Sequence, residues 1–356
     1  MTYRTGSNTY IGVQMTSVWS QAVAAGVGDQ WQVENFAYNE NPETLVANPI
    51  GSGSEMINES TKGATSPSID ASGIGQFAGV PVRLEALLFG TSYGPFSTAA
   101  ATAFTHSLVY NSTRPAKYAC IGWHTSSNTS MEIPSSLPSR LRVSAANPPA
   151  YEMREFSLLG DNVVITGAAN TVATLATTTM ESTKRVVARP TDYFRLNAQA
   201  GAALASSDNV SITSFDITYD RALEHVREIR GAADTANAEP RQASSPPFGV
   251  TLSVTLRSAA DHTYWTAQQA NPETEYKVEL GITGELISDS TYYLERRMFP
   301  RVKLIAWPDA PIQSGGENPL TLRFTVLEAA STPSGMVDTK PHVVYTNLQT
   351  GHLLAM

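Results

Sequence analysis

Apolar and polar residues alternate with a period of two along much of this chain. The clearest alternating runs lie at residues 214–219, 251–257, 276–282 and 321–326. A period of two with one apolar face predicts half-buried antiparallel strands. Gly, Pro, Asn and Ser separate the runs, which is typical of a β-sandwich or barrel. The pattern therefore predicts an all-β chain with a few short helices.

Three segments depart from this period and predict helices. Residues 82–89 combine good helix formers with an apolar stripe, and Gly90 predicts the stop. Asp261 predicts the N-cap of a short helix that ends before Pro272. A period near that of a helix over residues 220–231 predicts the third.

The order of these elements indicates a weak internal repeat, for which two duplicated β domains and an unduplicated chain are equally good interpretations. Each copy would hold a short helix, paired strands, an apolar strand and a closing alternating strand, which residues 171–180 and 320–327 supply. For residues 1–60, an extended arm and a pair of strands with long loops are equally good interpretations. The predicted divisions are an N-terminal arm with opening strands at 1–60, a first β domain at 61–205 with a candidate insertion at 97–149, a second β domain at 206–347 and a C-terminal tail at 348–356.

Composition narrows the range of functions. Charged residues make up 16% of the chain, whereas about a quarter is usual in soluble proteins. The net charge of −8 argues against broad binding to nucleic-acid phosphates. Cys120 is the only cysteine, so we expect no internal disulfide and a small buried apolar side chain. No apolar signal region or membrane-spanning run is visible, so we predict synthesis in the cytoplasm and no membrane partner.

One short pattern suggests catalysis. Residues 90–94 match the G-x-S-x-G nucleophile elbow around Ser92. That elbow needs a strand before the serine and a helix after it, whereas the sequence predicts a helix before it, so a helix stop and turn is the favoured interpretation. The six histidines show no metal-ligand spacing, and no phosphate loop or dinucleotide fingerprint is present. We therefore predict no enzymatic activity, no cofactor and no metal.

Basic residues form two local groups beside acidic residues. The candidates for salt bridges between subunits are Arg227, Arg230, Arg296 and Arg297. Stacking aromatics are not interleaved with them, which argues against a nucleic-acid site.

A series of segments along the chain has a recognisable order. Its members are residues 34–50, 66–70 with 84–90, 156–165, 214–220, 300–307, 318–328 and 342–347. This series resembles the tail tube, or major tail, proteins of long-tailed bacteriophages. Residues 97–149 depart from the family pattern, because they are long and rich in Ser, Thr and Pro.

The resemblance implies a virion structural protein with a tail-tube-type β-sandwich or barrel. Copies would close into rings, and rings would stack into a hollow tube through which DNA passes without sequence-specific contact. Three copies would form a pseudo-sixfold ring if the halves are duplicated, which we favour, and six would be needed otherwise. Other tail proteins would be partners, and the chain would be made in the host bacterial cytoplasm. On this basis we predict a polar face lining the lumen, comprising Glu275, Lys277, Glu279 and Thr283.

Two other interpretations have different consequences. A β-sandwich carbohydrate-binding or decoration module, on a virion or a cell surface, would need exposed aromatics, for which Trp123, Tyr292 and Tyr293 are the candidates. Core packing is the favoured role of these three side chains. A serine hydrolase built on Ser92 would react with a fluorophosphonate probe.

Overall fold

A computed structural model describes most of the chain. The described residues are 10–40, 44–47, 59–62, 66–98, 102–112, 116–124, 129–166, 169–225, 239–242, 248–257, 263–270, 272–306 and 319–354.

Within these ranges the chain forms strands and three short α-helices, which confirms the prediction of an all-β fold with few helices. The strands of the first half are β1 (Ile11–Thr16), β2 (Asn35–Asn39), β3 (Thr44–Ala47), β4 (Glu59–Lys62), β5 (Ser68–Ile74), β6 (Gly90–Ser97), β7 (Phe104–Tyr110), β8 (Tyr118–His124), β9 (Ser130–Ala146), β10 (Ala150–Tyr151), β11 (Met153–Gly160) and β12 (Val164–Ile165). Those of the second half are β13 (Val187–Ala188), β14 (Tyr193–Ala198), β15 (Ile212–Asp220), β16 (Leu223–Glu224), β17 (Arg241–Gln242), β18 (Gly249–Leu256), β19 (Tyr276–Ser288), β20 (Thr291–Leu304), β21 (Leu320–Leu327) and β22 (His342–Asn347). The helices are α1 (Val80–Phe89), α2 (Val172–Ala176) and α3 (Thr263–Gln269).

One large antiparallel sheet organises the molecule. Its main path runs β2-β5-β11-β9-β15-β18-β21-β20-β22-β7-β6, and β1, β8, β12, β14 and β19 join it from the side. The pairs β3–β4, β10–β13 and β16–β17 form separate two-stranded sheets. The alternation of apolar and polar residues determines which face of a strand is buried. In β18 every second residue from Val250 to Leu256 is buried against one continuous core.

Helix α1 lies entirely in that core. All ten of its residues are buried, and Gly90 ends it in the left-handed conformation with φ 87°. The backbone N–H of Gly90 donates to the carbonyl of Ala86, and β6 begins at once. The predicted helix at 82–89 and its glycine stop are therefore confirmed.

The other helix predictions have mixed outcomes. Helix α3 confirms the prediction near residue 263, although Asp261 lies outside the described residues. The predicted helix at 220–231 is wrong where it is described, because β16 lies there, and residues 226–231 lie outside the described ranges.

The strand predicted at 171–180 is also wrong. The hydroxyl of Thr171 accepts a hydrogen bond from the N–H of Thr174 at 3.1 Å and caps α2, and Leu175 anchors that helix in the interior. The internal repeat loses its first closing strand as a result. A helix followed by a hairpin still occurs twice, as α1 with β6–β7 and α3 with β19–β20.

The sheet runs across the predicted domain divisions. β9 pairs with β15, and β22 pairs with β7, so hydrogen-bonded ladders join residues on either side of position 205. Strands β7, β8 and β9 lie within 97–149, and β9 lies between β11 and β15, so the described part of this segment is not a surface insertion. At the N-terminus, β1 pairs with β8 and β2 with β5, which corresponds to strands with long loops.

Candidate functional site: a buried ionic cluster and two terminal strands

The most concentrated chemistry in the described residues lies inside the molecule, where α1, β11, β15, β20 and β22 meet. Seven ionisable side chains converge there, each no more than 2% exposed. We call this group the buried ionic cluster: Glu85, Glu152, Arg154, Tyr219, Glu295, Arg297 and Tyr345. Lys, Glu and Arg are almost never fully buried unless they are paired, so the pairing needs to be traced.

Strand geometry explains how charges reach the interior. Glu295 and Arg297 are two residues apart on β20 and therefore point to the same, inward side. Glu152 and Arg154 repeat this Glu-x-Arg spacing at the start of β11. Glu85 completes the set from the middle of α1.

Short ion pairs connect these five residues. Arg154 places Nε 2.7 Å from Oε1 of Glu152 and Nη2 2.6 Å from Oε2 of Glu295. Arg297 places Nη1 2.6 Å from Oε1 of Glu85 and Nη2 2.6 Å from Oε1 of Glu295. Nη1 of Arg154 lies 3.6 Å from Oε2 of Glu85, which closes the ring of contacts.

Two tyrosines complete the polar contacts. Arg297 donates to the hydroxyls of Tyr219 and Tyr345, each at 3.2 Å. Tyr345 in turn donates a short hydrogen bond to Oε2 of Glu85. These bonds tie β15 and β22 to α1 through side chains that the sequence keeps far apart.

Two carboxyl groups of the cluster, those of Glu85 and Glu295, have pKa values shifted in opposite directions. Burial opposes the ionisation of Glu85, but the charges of Arg297 and Arg154 outweigh burial and hold its pKa below the ordinary value. Burial raises the pKa of Glu295 to about 8, and the nearby carboxylates of Glu152 and Glu85 add to the rise, while both arginines oppose it. Such perturbed values also mark catalytic sites, but here no member is exposed to a substrate.

The main path of the sheet ends in two terminal strands, β2 and β6, and among the described residues β1, β12 and β14 beside that path also have a single partner strand. At the first end, β2 pairs only with β5 among the described residues. Asn39 and Ser68 form the last residue pair of the β2–β5 ladder. The β3–β4 pair, in which Thr44 lies opposite Lys62, follows β2 along the chain. We call strands β2, β3, β4 and β5 together the β2–β5 arm. A hydrogen bond of 3.0 Å from the N–H of Ser66 to the carbonyl of Glu40 extends the ladder toward β3–β4.

At the other end, β6 presents two exposed aromatic side chains. Tyr93 is 52% exposed and Phe96 57% exposed. A bulge between them sets Tyr93 opposite Ser107 and Phe96 opposite Thr105, which places both rings on the same face. Gly94 makes the bulge with φ +106°, where a Cβ atom would lie 2.4 Å from the carbonyl oxygen of Thr105.

The predicted lumen face has a different role in the structure. Lys277 is fully buried and donates to the carbonyls of Gly201 and Ser334. Glu279 is 3% exposed and accepts hydrogen bonds of 2.7 Å from Tyr193 and Arg296. The lumen prediction is therefore wrong for Lys277 and Glu279, because β19 lies between β14 and β20 and loops of the same chain cover its polar side.

The two ends of that face remain partly accessible. Glu275 receives hydrogen bonds from Arg301 and lies 3.2 Å from Nζ of Lys303. The N–H of Thr283 donates to Oδ1 of Asp192 at 2.8 Å. Both residues thus make their described polar contacts within the chain.

The predicted salt bridges between subunits are also satisfied internally where they are described. Arg297 belongs to the buried ionic cluster, so its assignment to a subunit interface is wrong. Arg296 pairs with Glu279 of its own chain at 2.7 Å. Arg227 and Arg230 lie outside the described residues.

The structure also locates the candidate nucleophile, the cysteine and the candidate exposed aromatics of the sequence analysis. Ser92 lies inside β6 directly after α1, the reverse of the order that a nucleophile elbow needs. Cys120 is buried as predicted, and burial raises the pKa of its thiol to about 11. Trp123 and Tyr293 are core residues, as predicted, whereas Tyr292 is 46% exposed.

The described residues contain neither an arranged set of metal ligands nor a membrane-spanning helix. No group of three or more His, Cys, Asp or Glu side chains is arranged to hold a metal ion in the part of the chain that the structure describes. Over the same ranges, no helix has the length and apolar character needed to cross a bilayer.

Comparison with known proteins leaves the fold as the best guide. No protein-family model matches this chain, and no curated protein matches it at a significant level. The class that fold and side chains define is an all-β chain with a charged interior and two terminal strands.

Proposed function

We propose that this chain is a structural subunit of a bacteriophage tail tube. Copies form rings, and stacked rings enclose the path of the DNA. The β2–β5 arm carries the proposal, because it continues the end of the main sheet into a separate strand pair. An arm of this kind suits contacts between neighbouring copies better than it suits binding of a small molecule.

Among the described residues, strand β2 contains none of the charges, prolines or bulges that usually protect a terminal strand, and this favours association. β6 has a bulge and Pro95, whereas β2 reads Asn-Phe-Ala-Tyr-Asn. Its outward residues, Asn35, Ala37 and Asn39, are exposed and uncharged. A strand from another copy can therefore add along β2 without burying a charge.

Composition and chain order support the same assembly. The net charge of −8 and the low share of charged residues suit a tube that DNA passes without adhering and subunits that bury much surface. The helix-then-hairpin order that occurs twice favours rings of three copies, with six as the alternative. Residence in the virion tail, after synthesis in the bacterial cytoplasm, is part of the proposal.

Electron microscopy of the purified full chain tests the proposal. After concentration and overnight incubation, negative stain is expected to show rings or hollow tubes with threefold or sixfold symmetry. Ala37→Lys places a charge in the middle of β2 and is expected to abolish rings and tubes while leaving the thermal unfolding midpoint unchanged.

A matched substitution controls for the added charge. Ala173→Lys makes the same change at an exposed position of α2, which is not a strand of the sheet, and is expected to assemble like the wild type. Uniform small particles from the wild type would contradict the proposal. They would favour a carbohydrate-binding or decoration module, whose surface would then include Tyr93 and Phe96.

A further inference from the structure

The buried ionic cluster holds unequal numbers of acidic and basic groups. Two guanidinium groups, from Arg154 and Arg297, face three carboxyl groups, from Glu85, Glu152 and Glu295. If all three carboxyl groups were ionised, the cluster would carry one net negative charge in a region closed to water. Burying a charge without a partner is costly, and proteins avoid that cost by binding or releasing a proton.

Hydrogen bonding inside the cluster is also incomplete. An ionised carboxylate accepts at both oxygens when it is buried. Among the described residues, neither Oε2 of Glu152 nor Oε1 of Glu295 accepts a hydrogen bond. Oε1 of Glu295 lies 2.6 Å from Nη2 of Arg297 but outside hydrogen-bond geometry. Two guanidinium donors, Nη1 of Arg154 and Nε of Arg297, likewise lack an acceptor among the described residues, so the hydrogen bonds that form do not satisfy three ionised carboxylates.

We infer that the buried ionic cluster is a binding site for a single proton, which the carboxyl group of Glu295 holds at neutral pH and releases reversibly at alkaline pH. With that proton, two positive and two negative charges balance. This inference concerns the interior of one chain and does not depend on the proposed assembly.

The surroundings of Glu295 on every side support this position for the proton. Burial raises the pKa of Glu295 to about 8, and that of Glu85 is lowered despite its burial, so the two carboxyl groups are in different states near neutrality. The charged and titratable groups that face Glu295 are Glu85 from α1, Glu152 and Arg154 at the start of β11, Tyr219 from β15, Arg297 from β20 and Tyr345 from β22. Burial raises the pKa of both tyrosines, so they stay neutral over the same range.

Release of the proton has a definite effect on stability. The folded chain keeps the proton up to about pH 8, whereas an unfolded chain releases it near the ordinary value for glutamate, 4.5. The folded state therefore binds more protons between these values, and stability falls as pH rises through that window. For one proton, the equilibrium constant for unfolding increases by up to about tenfold for each pH unit.

Infrared spectroscopy and unfolding of the full chain test the inference together. The wild type is expected to show the carbonyl band of a protonated carboxylic acid at neutral pH and to lose it with a midpoint near pH 8. Glu295→Gln is neutral at every pH and should lack this band. Its equilibrium constant for unfolding should rise less steeply between about pH 6 and about pH 9 than that of the wild type.

Control variants show which residue gives rise to the carbonyl band. Burial also raises the pKa of Asp161 and Asp192, but both remain in Glu295→Gln. Glu285→Gln changes an exposed glutamate and should leave both readouts unchanged. A wild type without the band, or a band that Glu152→Gln removes and Glu295→Gln keeps, would overturn the inference. If Glu295→Gln fails to fold, the wild-type titration alone decides, and a band lost near pH 8 supports the inference.

Discussion

At the residue scale, Glu85 is the point where α1 enters the buried ionic cluster. Its two oxygens contact Arg297, Arg154 and Tyr345, and the side chain is fully buried. A helix with nine other buried residues thus carries a single carboxylate into the core. That carboxylate balances guanidinium charge and accepts hydrogen bonds from Arg297 and Tyr345.

Replacing that carboxylate should lower stability. Glu85→Gln removes the carboxylate oxygens that Arg297, Arg154 and Tyr345 contact. Two positive charges then meet two negative ones only if Glu295 gives up its proton, so we expect a loss of about 1–3 kcal/mol in the free energy of unfolding. Denaturant unfolding at neutral pH measures it. Glu285→Gln removes a carboxylate that pairs with Lys184 on the surface and should cause no measurable change. Similar midpoints for the two variants would contradict a balancing role for Glu85.

Gly94 is a second residue with a sharp prediction. Its φ of +106° and its close approach to the Thr105 carbonyl leave no room for a side chain. Gly94→Ala should lower the free energy of unfolding by about 1–3 kcal/mol, because it strains the bulge of β6. Gly249→Ala in β18 is the control, because a Cβ atom there meets nothing within 4 Å. Equal stability of the two variants in chemical denaturation would rule out a steric requirement at Gly94.

At the element scale, the segment 348–354 is fastened to the sheet by histidines. His106 of β7 lies 2.9 Å from the carbonyl oxygen of Gln349, and His352 lies 2.8 Å from that of Ser92. Leu353 and Leu354 are buried beneath these contacts. Burial lowers the pKa of His106, with the charge of His352 adding to the effect and the Gln349 carbonyl opposing it.

Acid should therefore loosen this segment. A histidine with a lowered pKa contributes stability above its ordinary value of 6.5, and the contribution is lost as pH falls below that value. Hydrogen exchange of residues 348–354, corrected for intrinsic rates, should show less protection at about pH 5 than at about pH 7. His106→Gln keeps a donor without a titrating ring, so its protection should vary little with pH. The same pH dependence in both proteins would exclude His106 as the cause.

The elements also show what sequence could predict. β18 and β19 were found from alternation, and α1 from its helix formers and Gly90, because these features depend on neighbours within a few residues. Thr171 has no such distinguishing pattern, since Thr-rich alternation fits both a strand and a capped turn of helix. Lys277 and Glu279 looked solvent-exposed because their partners at 201, 334 and 193 are distant in sequence.

The interior cluster was missed for a related reason. Glu-x-Arg occurs at 152–154 and 295–297, but also at 228–230 and 239–241, so the spacing alone does not single out the cluster. On strands, this spacing places both charges on one face but does not say which face is inward. The sheet path, which brings β11 near β20 and both near α1, decides it.

At the scale of the whole molecule, groups with opposite pKa shifts limit the pH range over which the folded chain is stable. The lowered pKa values of Glu85 and His106 remove stability as pH falls, whereas the raised value of Glu295 removes it as pH rises. The chain should therefore be most stable between mildly acidic and neutral pH. A single sheet transmits either loss to the entire core, because no domain division interrupts the ladders between β9 and β15 or between β22 and β7.

The last strand has a consequence for how the chain is made. β22 lies between β7 and β20, with His342 opposite both Val109 and Met298. β7 is synthesised long before β22, although the two strands are neighbours in the sheet. Until β22 is made, one side of β7 stays exposed as a strand edge, and pairing over so long a separation is slow. Chaperones can therefore bind the exposed edge of β7 in the interval between the synthesis of these two strands.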